Sequence, residues 1–191
     1  MAKLARALLR GRRTVALFEQ GQLDESVLSR AINNACFAPN HKKTEPWRCY
    51  TLGPDSRASV LALGEAVLTE KHGSAKAAKK MRRWHEVPGW LVVTAARSPG
   101  DPFREKEDYA ASCCFTHSLL LSLFSEGYGS KWSSFGSGSR ELDEFAEIVG
   151  FNPKDQQCVS TIWWGKPLKE RGWPSPPRKR FSAEDVLIQR G

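Results

Sequence analysis

The chain has 191 residues, 40% of them apolar and 26% charged, which is the composition of an ordinary folded protein with enough apolar residues for a core. The net charge of +8 favours anionic partners, so the composition is compatible with a basic nucleic-acid-binding protein as well as with an enzyme. The longest apolar run, residues 119–124, is too short to cross a bilayer, and no membrane partner is expected.

The first half of the chain is predicted to be mainly helical. A short basic amphipathic helix covers residues 2–10, and a clearer helix begins after Asp24 as N-cap and ends before Pro39. Residues 47–52 then predict a strand, and residues 56–84 predict one or two surface helices rich in Ala and Lys.

The second half predicts three strands and two helices. Residues 90–96 form a continuous apolar run, which predicts a strand buried on both faces. A buried central helix is predicted at 108–129, ended by Gly127, and a strand that ends in polar residues at 130–139. A helix capped by Ser139 and stopped by Gly150 follows at 140–150, and the last strand is at 158–165. The pattern predicts one domain spanning residues 1–191, with helices around a modest sheet and a basic, Pro-rich tail at 166–191.

Five cysteines without a CxxC pair indicate neither a disulfide framework nor a zinc site. The adjacent pair Cys113–Cys114 lies in the apolar helical run and is predicted to be core. Free thiols favour a reducing compartment, which we expect to be the cytoplasm. Because residues 1–18 are basic and contain no acid, an organellar matrix is the alternative.

Three separate stretches carry more hydrogen-bonding groups than simple connections need. The first is "GRRTV" (11–15), whose arginine forks match phosphate oxygens, although a basic helix end would look the same. The second, "FAPNHKKTEPWRC" (37–49), combines a helix stop with several polar side chains that we expect to face a ligand. The third, "KWSSF" (131–135), suits a flat, polar-edged ligand, or is an ordinary Ser-rich turn.

Taken together in this order, the pieces carry a resemblance to a known family. The resemblance lies in an early "RRT", a helix ending "APNHKKTEPW", then "EGYGSKWSS", and "GFNPKDQ" followed by "STIWWGKP". The chain resembles the FMN-dependent nitroreductases, above all the compact bacterial NAD(P)H nitroreductases. The resemblance implies an α+β fold with a mainly antiparallel central sheet sandwiched by helices. It also implies a homodimer with FMN bound at the subunit interface.

The same resemblance assigns cofactor-binding residues. Arg12, Arg13 and Thr14 resemble the residues at the flavin phosphate and ring edge. The other expected contacts are His41 and Lys42 from the loop, often of the partner subunit, Trp132, Ser133 and Ser134 along the flavin ring, and Arg178 and Arg180 at the phosphate. Phe37 is also assigned to the cofactor site: near relatives can carry an arginine there, so one phosphate or ribose contact is expected to be missing, but many family members place an aromatic residue at this position and flavin binding is not thereby lost.

The implied activity is reduction of nitroaromatics, quinones or similar small planar acceptors by NAD(P)H, through ping-pong hydride transfer at flavin N5. No catalytic side chain or metal is expected, since the chemistry belongs to the flavin. Two alternatives remain: a nitroreductase-like protein with weak flavin binding that serves as a subunit of a larger assembly, or a nucleic-acid-binding protein. The second is disfavoured because four tryptophans fall in strand-like apolar runs that predict core positions, namely Trp47, Trp90, Trp163 and Trp164.

Overall fold

The structure is a computed structural model that describes residues 2–138, 141–168 and 180–190. Its helices are α1 (Ala2–Gly11), α2 (Glu25–Ala35), α3 (Pro54–His72), α4 (Ser74–His85), α5 (Pro102–Ser125), α6 (Leu142–Val149) and α7 (Ala183–Val186). Its strands are β1 (Trp47–Thr51), β2 (Gly89–Ala96), β3 (Gly129–Ser133) and β4 (Gln156–Gly165), and a 3-10 turn covers His41–Lys43.

The four strands form one sheet in the order β1-β2-β4-β3, and all three pairings are antiparallel. Helices α2 and α5 pack on one face, where Phe115 and Leu119 meet the strand residues Leu91 and Ile162. Helices α3, α4 and α6 pack on the other face. This arrangement confirms the predicted α+β fold with an antiparallel sheet between helical layers.

The strand core follows the sequence prediction closely. Every residue of β2 from Gly89 to Ala95 is buried, as the continuous apolar run predicted. The four tryptophans predicted to be core are buried on the two faces of the sheet: Trp47, Trp90, Trp163 and Trp164. Their rings are therefore not available to stack on nucleic-acid bases.

Helix α5 differs from its prediction in two ways. It begins at Pro102 instead of residue 108, because the Asp101 side chain accepts a hydrogen bond from the Arg104 backbone N–H at 3.0 Å and Pro102 fits the first helical turn. The prediction that Cys113 and Cys114 are core was wrong, since Cys113 is half-buried and Cys114 is exposed. The helix is therefore exposed over its first turns and along one stripe beyond them, and buried on the other side.

Helix α2 begins as predicted, with Asp24 accepting from the Ser26 backbone N–H at 3.0 Å. It ends at Ala35, earlier than Pro39 requires, and Phe37 lies outside it with 91% of its surface exposed. The predicted Ser139 cap lies outside the described residues. Among the residues that are described, no helix combines the length and hydropathy needed to span a bilayer.

Candidate functional site

The N-terminal basic segment is fixed at both ends. At Gly11, helix α1 lies so close to α5 that an added Cβ atom would come within 2.9 Å of the Phe124 ring. Four residues later, the backbone N–H of Val15 donates to the Ser130 carbonyl of β3 at 3.0 Å. Segment 11–15 is thereby held between the central helix and the edge strand, so its side chains have defined positions.

This segment lines a pocket of about 600 Å³, a volume within the range of small-molecule and cofactor sites. We call it the arginine pocket; its lining residues are Leu9, Arg10, Arg12, Arg13, Thr14, His117, Arg180 and Phe181. The pocket thus brings the predicted N-terminal triplet together with Arg180, which is more than 160 residues away in sequence. The predicted Arg178 lies outside the described residues. Four guanidinium groups without a lining carboxylate make the pocket suited to an anion.

Arg13 has two roles at this position. Its Nη1 donates to carbonyl groups at the end of α1, those of Arg10, Gly11 at 3.2 Å and Arg12 at 3.0 Å. These carbonyls lack partners within the helix, so the contact caps it, as the alternative interpretation of "GRRTV" foresaw. Its Nε is buried and has no hydrogen-bond partner among the described residues. Because a buried unpaired donor is costly, an anionic oxygen at Arg13 would stabilise the site.

His117 lines the arginine pocket and was not predicted. It lies on the exposed stripe of α5, seven residues before Phe124 and therefore on nearly the same side of the helix. The signal in the sequence is a recurrence of small or polar residues at Ala110, Cys114 and His117. Spacings of four and three residues mark one helical face, which here is the face that does not pack against the core.

Trp132 lies next to the arginine pocket on the same side of the sheet. It pairs with Ile162, whose side chain belongs to the core beneath α5, and paired residues of an antiparallel sheet share a face. Ser130, which forms a β-bridge with Thr14, lies two residues before Trp132. The bridge and Trp132 are therefore about 7 Å apart along the strand. Its ring is 38% exposed at this edge.

Ser133 and Ser134 build the turn after β3. Ser133 follows Trp132 in the strand and so points to the opposite face, where its Oγ accepts from the Phe135 backbone N–H at 3.3 Å. The Ser134 carbonyl accepts from the Ser137 hydroxyl at 2.6 Å. Of the three residues predicted in this stretch, Trp132 therefore presents its side chain on the α5 side of the sheet, while Ser133 does not.

The loop that carries His41 and Lys42 has an unusual backbone. Lys42, Lys43 and Glu45 have φ angles of 58°, 51° and 43°, in the left-handed region that residues other than glycine rarely adopt. Such conformations persist only where surrounding contacts impose them, and they concentrate at functional sites. The loop is therefore held in a shape that its own residues do not favour.

The contacts that impose this shape come from inside the loop and from α5. Asn40 donates from Nδ2 to the Thr44 hydroxyl at 2.9 Å, and its Oδ1 accepts from the Glu45 backbone N–H at 2.8 Å. The Thr44 hydroxyl donates to Oδ1 of Asp108, a carboxylate only 2% exposed, at 2.5 Å. The expectation that Asn40 and Thr44 face a ligand was wrong, because both turn inward to fix the loop.

The outward-facing part of the loop is cationic. His41, Lys42 and Lys43 are all exposed, and His41 Nδ1 lies 2.9 Å from Oε2 of Glu107 on α5. Glu107 and His117 are ten residues apart on that helix, which corresponds to about 15 Å. Within one chain, His41 and Lys42 consequently lie outside the arginine pocket, and Phe37 is not among its lining residues either.

The buried thiols do not add a nucleophile to the site. Burial raises the pKa of Cys49 from 9.0 to about 12, with a further contribution from nearby Cys36. Burial also raises the pKa of Cys158 to about 12, against a smaller lowering effect of the Ser160 backbone N–H. Both groups are neutral thiols near pH 7, and a thiolate is needed for nucleophilic attack.

Comparisons with known proteins agree with this architecture. The chain is 27% identical over 133 residues to YfhC of Bacillus subtilis strain 168, a candidate NAD(P)H nitroreductase, with 68% of each protein covered. A nitroreductase-like family protein from Bacillus cereus is 26% identical, with a TM-score of 0.80 and coverage of 97% of this chain and 96% of that one. The FMN-dependent nitroreductase NfnB from Mycobacterium smegmatis, solved in complex with NADPH, is 14% identical with a TM-score of 0.81, over 100% and 99% of the two chains.

The last of these matches shows a common fold alone, because its sequence identity is low. The family assignment comes from the sequence itself, in which residues 9–166 match the model of the nitroreductase family. That range includes all four strands and the whole of α5. The chain belongs to the nitroreductase family.

Proposed function

We propose that this chain is an FMN-dependent oxidoreductase that uses NAD(P)H to reduce nitroaromatics, quinones or similar electron-poor planar acceptors. The family supports a flavin enzyme. YfhC is a candidate NAD(P)H nitroreductase, NfnB is FMN-dependent and was solved with NADPH, and a nitroreductase from Desulfitobacterium hafniense was solved with bound FMN. The observation that carries the proposal is the unpaired, buried Nε of Arg13 in a pocket with three further arginines.

The arginine pocket fits the phosphate end of FMN. Arg12, Arg13 and Arg180 hold the phosphate through charge-assisted hydrogen bonds, which are stronger than bonds between neutral groups. Thr14 offers an exposed hydroxyl beside them. Arg178 is proposed as a further phosphate contact.

The edge of β3 supplies the surface for the flavin ring. Trp132 is 38% exposed on the α5 side, two residues beyond the Thr14–Ser130 bridge, and we propose that it lies along the flavin ring. Ser133 and Ser134 contribute through the turn that ends the strand, so we propose backbone contacts for them in place of side-chain contacts. FMN held there would supply the chemistry of hydride transfer from NAD(P)H and of electron delivery to the acceptor, so the protein need not supply a catalytic acid or base.

We further propose that the enzyme works as a homodimer. The separation of about 15 Å along α5 keeps His41 and Lys42 away from the arginine pocket of their own chain. In the dimer, His41 and Lys42 of the partner subunit complete the site, and their positive charge favours an anionic cofactor.

Exposed apolar side chains support the dimer independently. Contiguous apolar surface left uncovered on a chain marks sites that bind another protein, and Val186, Leu187 and Ile188 are three consecutive exposed apolar residues. The large apolar side chains more than 60% exposed are Leu4, Leu9, Phe37, Phe103, Phe181, Val186, Leu187 and Ile188. We place the enzyme in the cytoplasm, since all five cysteines are free thiols.

Steady-state kinetics test the proposed reaction. The FMN-loaded protein is assayed for NADPH and NADH oxidation while the concentration of a nitroaromatic acceptor, such as p-nitrobenzoate, or of menadione is varied. A ping-pong cycle gives parallel double-reciprocal lines, because the first product leaves before the acceptor binds. A flavin-loaded protein that oxidises neither nucleotide with either acceptor refutes the proposal.

A further inference from the structure

Helix α4 carries a cluster of positive charges that the proposed enzyme reaction does not use. From Lys71 to His85 the sequence contains six lysines and arginines and no acid. The helix buries Ala77 and Met81 against the core, while its cations lie on the exposed sides. None of the ion pairs found among the described residues involves these cations.

Four of these lysines and arginines line one pocket together with His72. Its volume is about 280 Å³, and we call it the α4 pocket; the lining consists of His72, Lys76, Lys79, Lys80 and Arg83. Along the helix, the lysines and the arginine recur at spacings of three and four residues, so neighbouring like charges are about 5–6 Å apart at Cβ. Such pairs destabilise a helix unless counter-charges compensate them.

Two titrating groups report the positive potential here. The pKa of His72 is lowered by burial and by the neighbouring charges of Lys80, Lys71 and Lys76. On the adjacent strand β3, the pKa of Lys131 is lowered mainly by burial and further by Arg83 and Lys80. The cations therefore act on the same region of space.

We propose that the α4 pocket binds a short chain of linked phosphates, either inorganic polyphosphate or the polyphosphate end of a nucleotide. Closely spaced cations that repel one another are stabilised most by a ligand with several linked negative charges. The volume admits a few phosphate groups, and the lining contains no Trp, Tyr or Phe side chain on which a base could stack. The phosphate chain, and not the base, is the recognised part.

This site is separate from the arginine pocket. Helix α4 packs on the face of the sheet opposite to α5, whereas the arginine pocket includes His117 of α5. Binding at the α4 pocket consequently does not depend on FMN, and its test is independent of the proposed reaction.

Calorimetric titration of the full chain, without divalent cations, tests the proposal. In protein saturated with FMN, which occupies the arginine pocket, tripolyphosphate and ATP are expected to bind one molecule per chain, at least tenfold more tightly than orthophosphate and AMP. Lys80→Gln is expected to weaken tripolyphosphate binding by at least about fivefold, the scale of one charged hydrogen bond. Arg13→Ala, in the arginine pocket, should leave this binding unchanged.

Arg82→Gln provides the matched control. Arg82 is exposed on the same helix but does not line the α4 pocket, so removing its charge should change affinity less than twofold. Equal losses in Lys80→Gln and Arg82→Gln would show a diffuse basic surface and overturn the proposal. The proposal would also be overturned if tripolyphosphate did not bind at millimolar concentration, or if Arg13→Ala abolished its binding. Tighter binding of a single-stranded oligonucleotide, weakened equally by Lys80→Gln and Arg82→Gln, would overturn it as well.

Discussion

The hydroxyl of Thr44 donates a hydrogen bond to the buried carboxylate of Asp108, at 2.5 Å, across 64 residues of sequence. Arg104 approaches the second oxygen of the same carboxylate at 3.5 Å. This pair of contacts ties the loop that carries His41 to the central helix. The left-handed residues Lys42 and Lys43 lie between the two anchored ends of that loop.

Removing the carboxylate should therefore destabilise the protein. Asp108→Ala leaves the Thr44 hydroxyl and the Arg104 charge without this acceptor, and we expect the free energy of unfolding to fall by about 1–3 kcal/mol. Thr44→Val removes one of the same bonds and should cost roughly 1 kcal/mol. Urea unfolding at a fixed protein concentration measures both.

The double variant distinguishes a shared network from two separate contacts. Because Thr44 and Asp108 bond to each other, the combined loss should be smaller than the sum of the single losses. Strict additivity, or an Asp108→Ala protein as stable as the wild type, would contradict the role given to this carboxylate.

Arg13 should contribute directly to cofactor affinity. We expect Arg13→Ala to weaken FMN binding by at least ~1 kcal/mol, and Arg12→Ala by a similar amount, on the scale of one charged hydrogen bond. Quenching of FMN fluorescence on titration with protein gives the dissociation constants. Lys154→Ala, which removes one exposed charge in the loop before β4, is the control and should bind FMN as the wild type does. Unchanged FMN affinity in both arginine variants would show that the FMN phosphate does not bind in this pocket.

The proposed sharing of the site between subunits predicts complementation. Arg13→Ala and His41→Ala homodimers should each be impaired, whereas a mixed dimer has one site with both residues intact. After random reassociation, roughly a quarter of the wild-type activity should return, because half of the dimers are mixed and each has one intact site. Mixed samples no more active than the average of the two variants would place His41 in the same subunit's site, or outside it.

The contact between Val15 and Gly129 should be needed to position the N-terminal arginines. An added Cβ at Gly129 would lie 2.7 Å from the Val15 side chain, so Gly129→Ala forces these segments apart. We expect a loss of about 1–3 kcal/mol in unfolding free energy together with weaker FMN binding.

Gly100→Ala is the control for this substitution, since nothing lies within 4 Å of its added Cβ. Its effect on stability should stay within about 0.5 kcal/mol. If Gly129→Ala loses stability but binds FMN normally, the β3 contact serves the fold and not the pocket.

Much of the fold was predictable because the signals are local. The Asp24 cap, the buried run of β2 and the core tryptophans follow from patterns of a few residues. The early start of α5 was missed because its first turn is polar and its cap, Asp101, lies outside the apolar pattern. The single domain predicted for residues 1–191 stays a prediction.

The candidate site was predictable as motifs but not as geometry. Arg13 and Arg180 were assigned to one phosphate, and they line one pocket. The inward turn of Thr44 could not be read from the loop, since its partner Asp108 is distant in sequence. The side of the sheet that Ser133 faces depended on strand register, which one residue of shift would reverse.

The absorbance spectrum of the purified protein, before and after anaerobic addition of NADH or NADPH, tests the central claim most directly. We predict flavin absorption bands that either nucleotide bleaches and that an electron-poor acceptor restores. A colourless protein that cannot be loaded with FMN would contradict the account and favour a flavin-free subunit of a larger assembly.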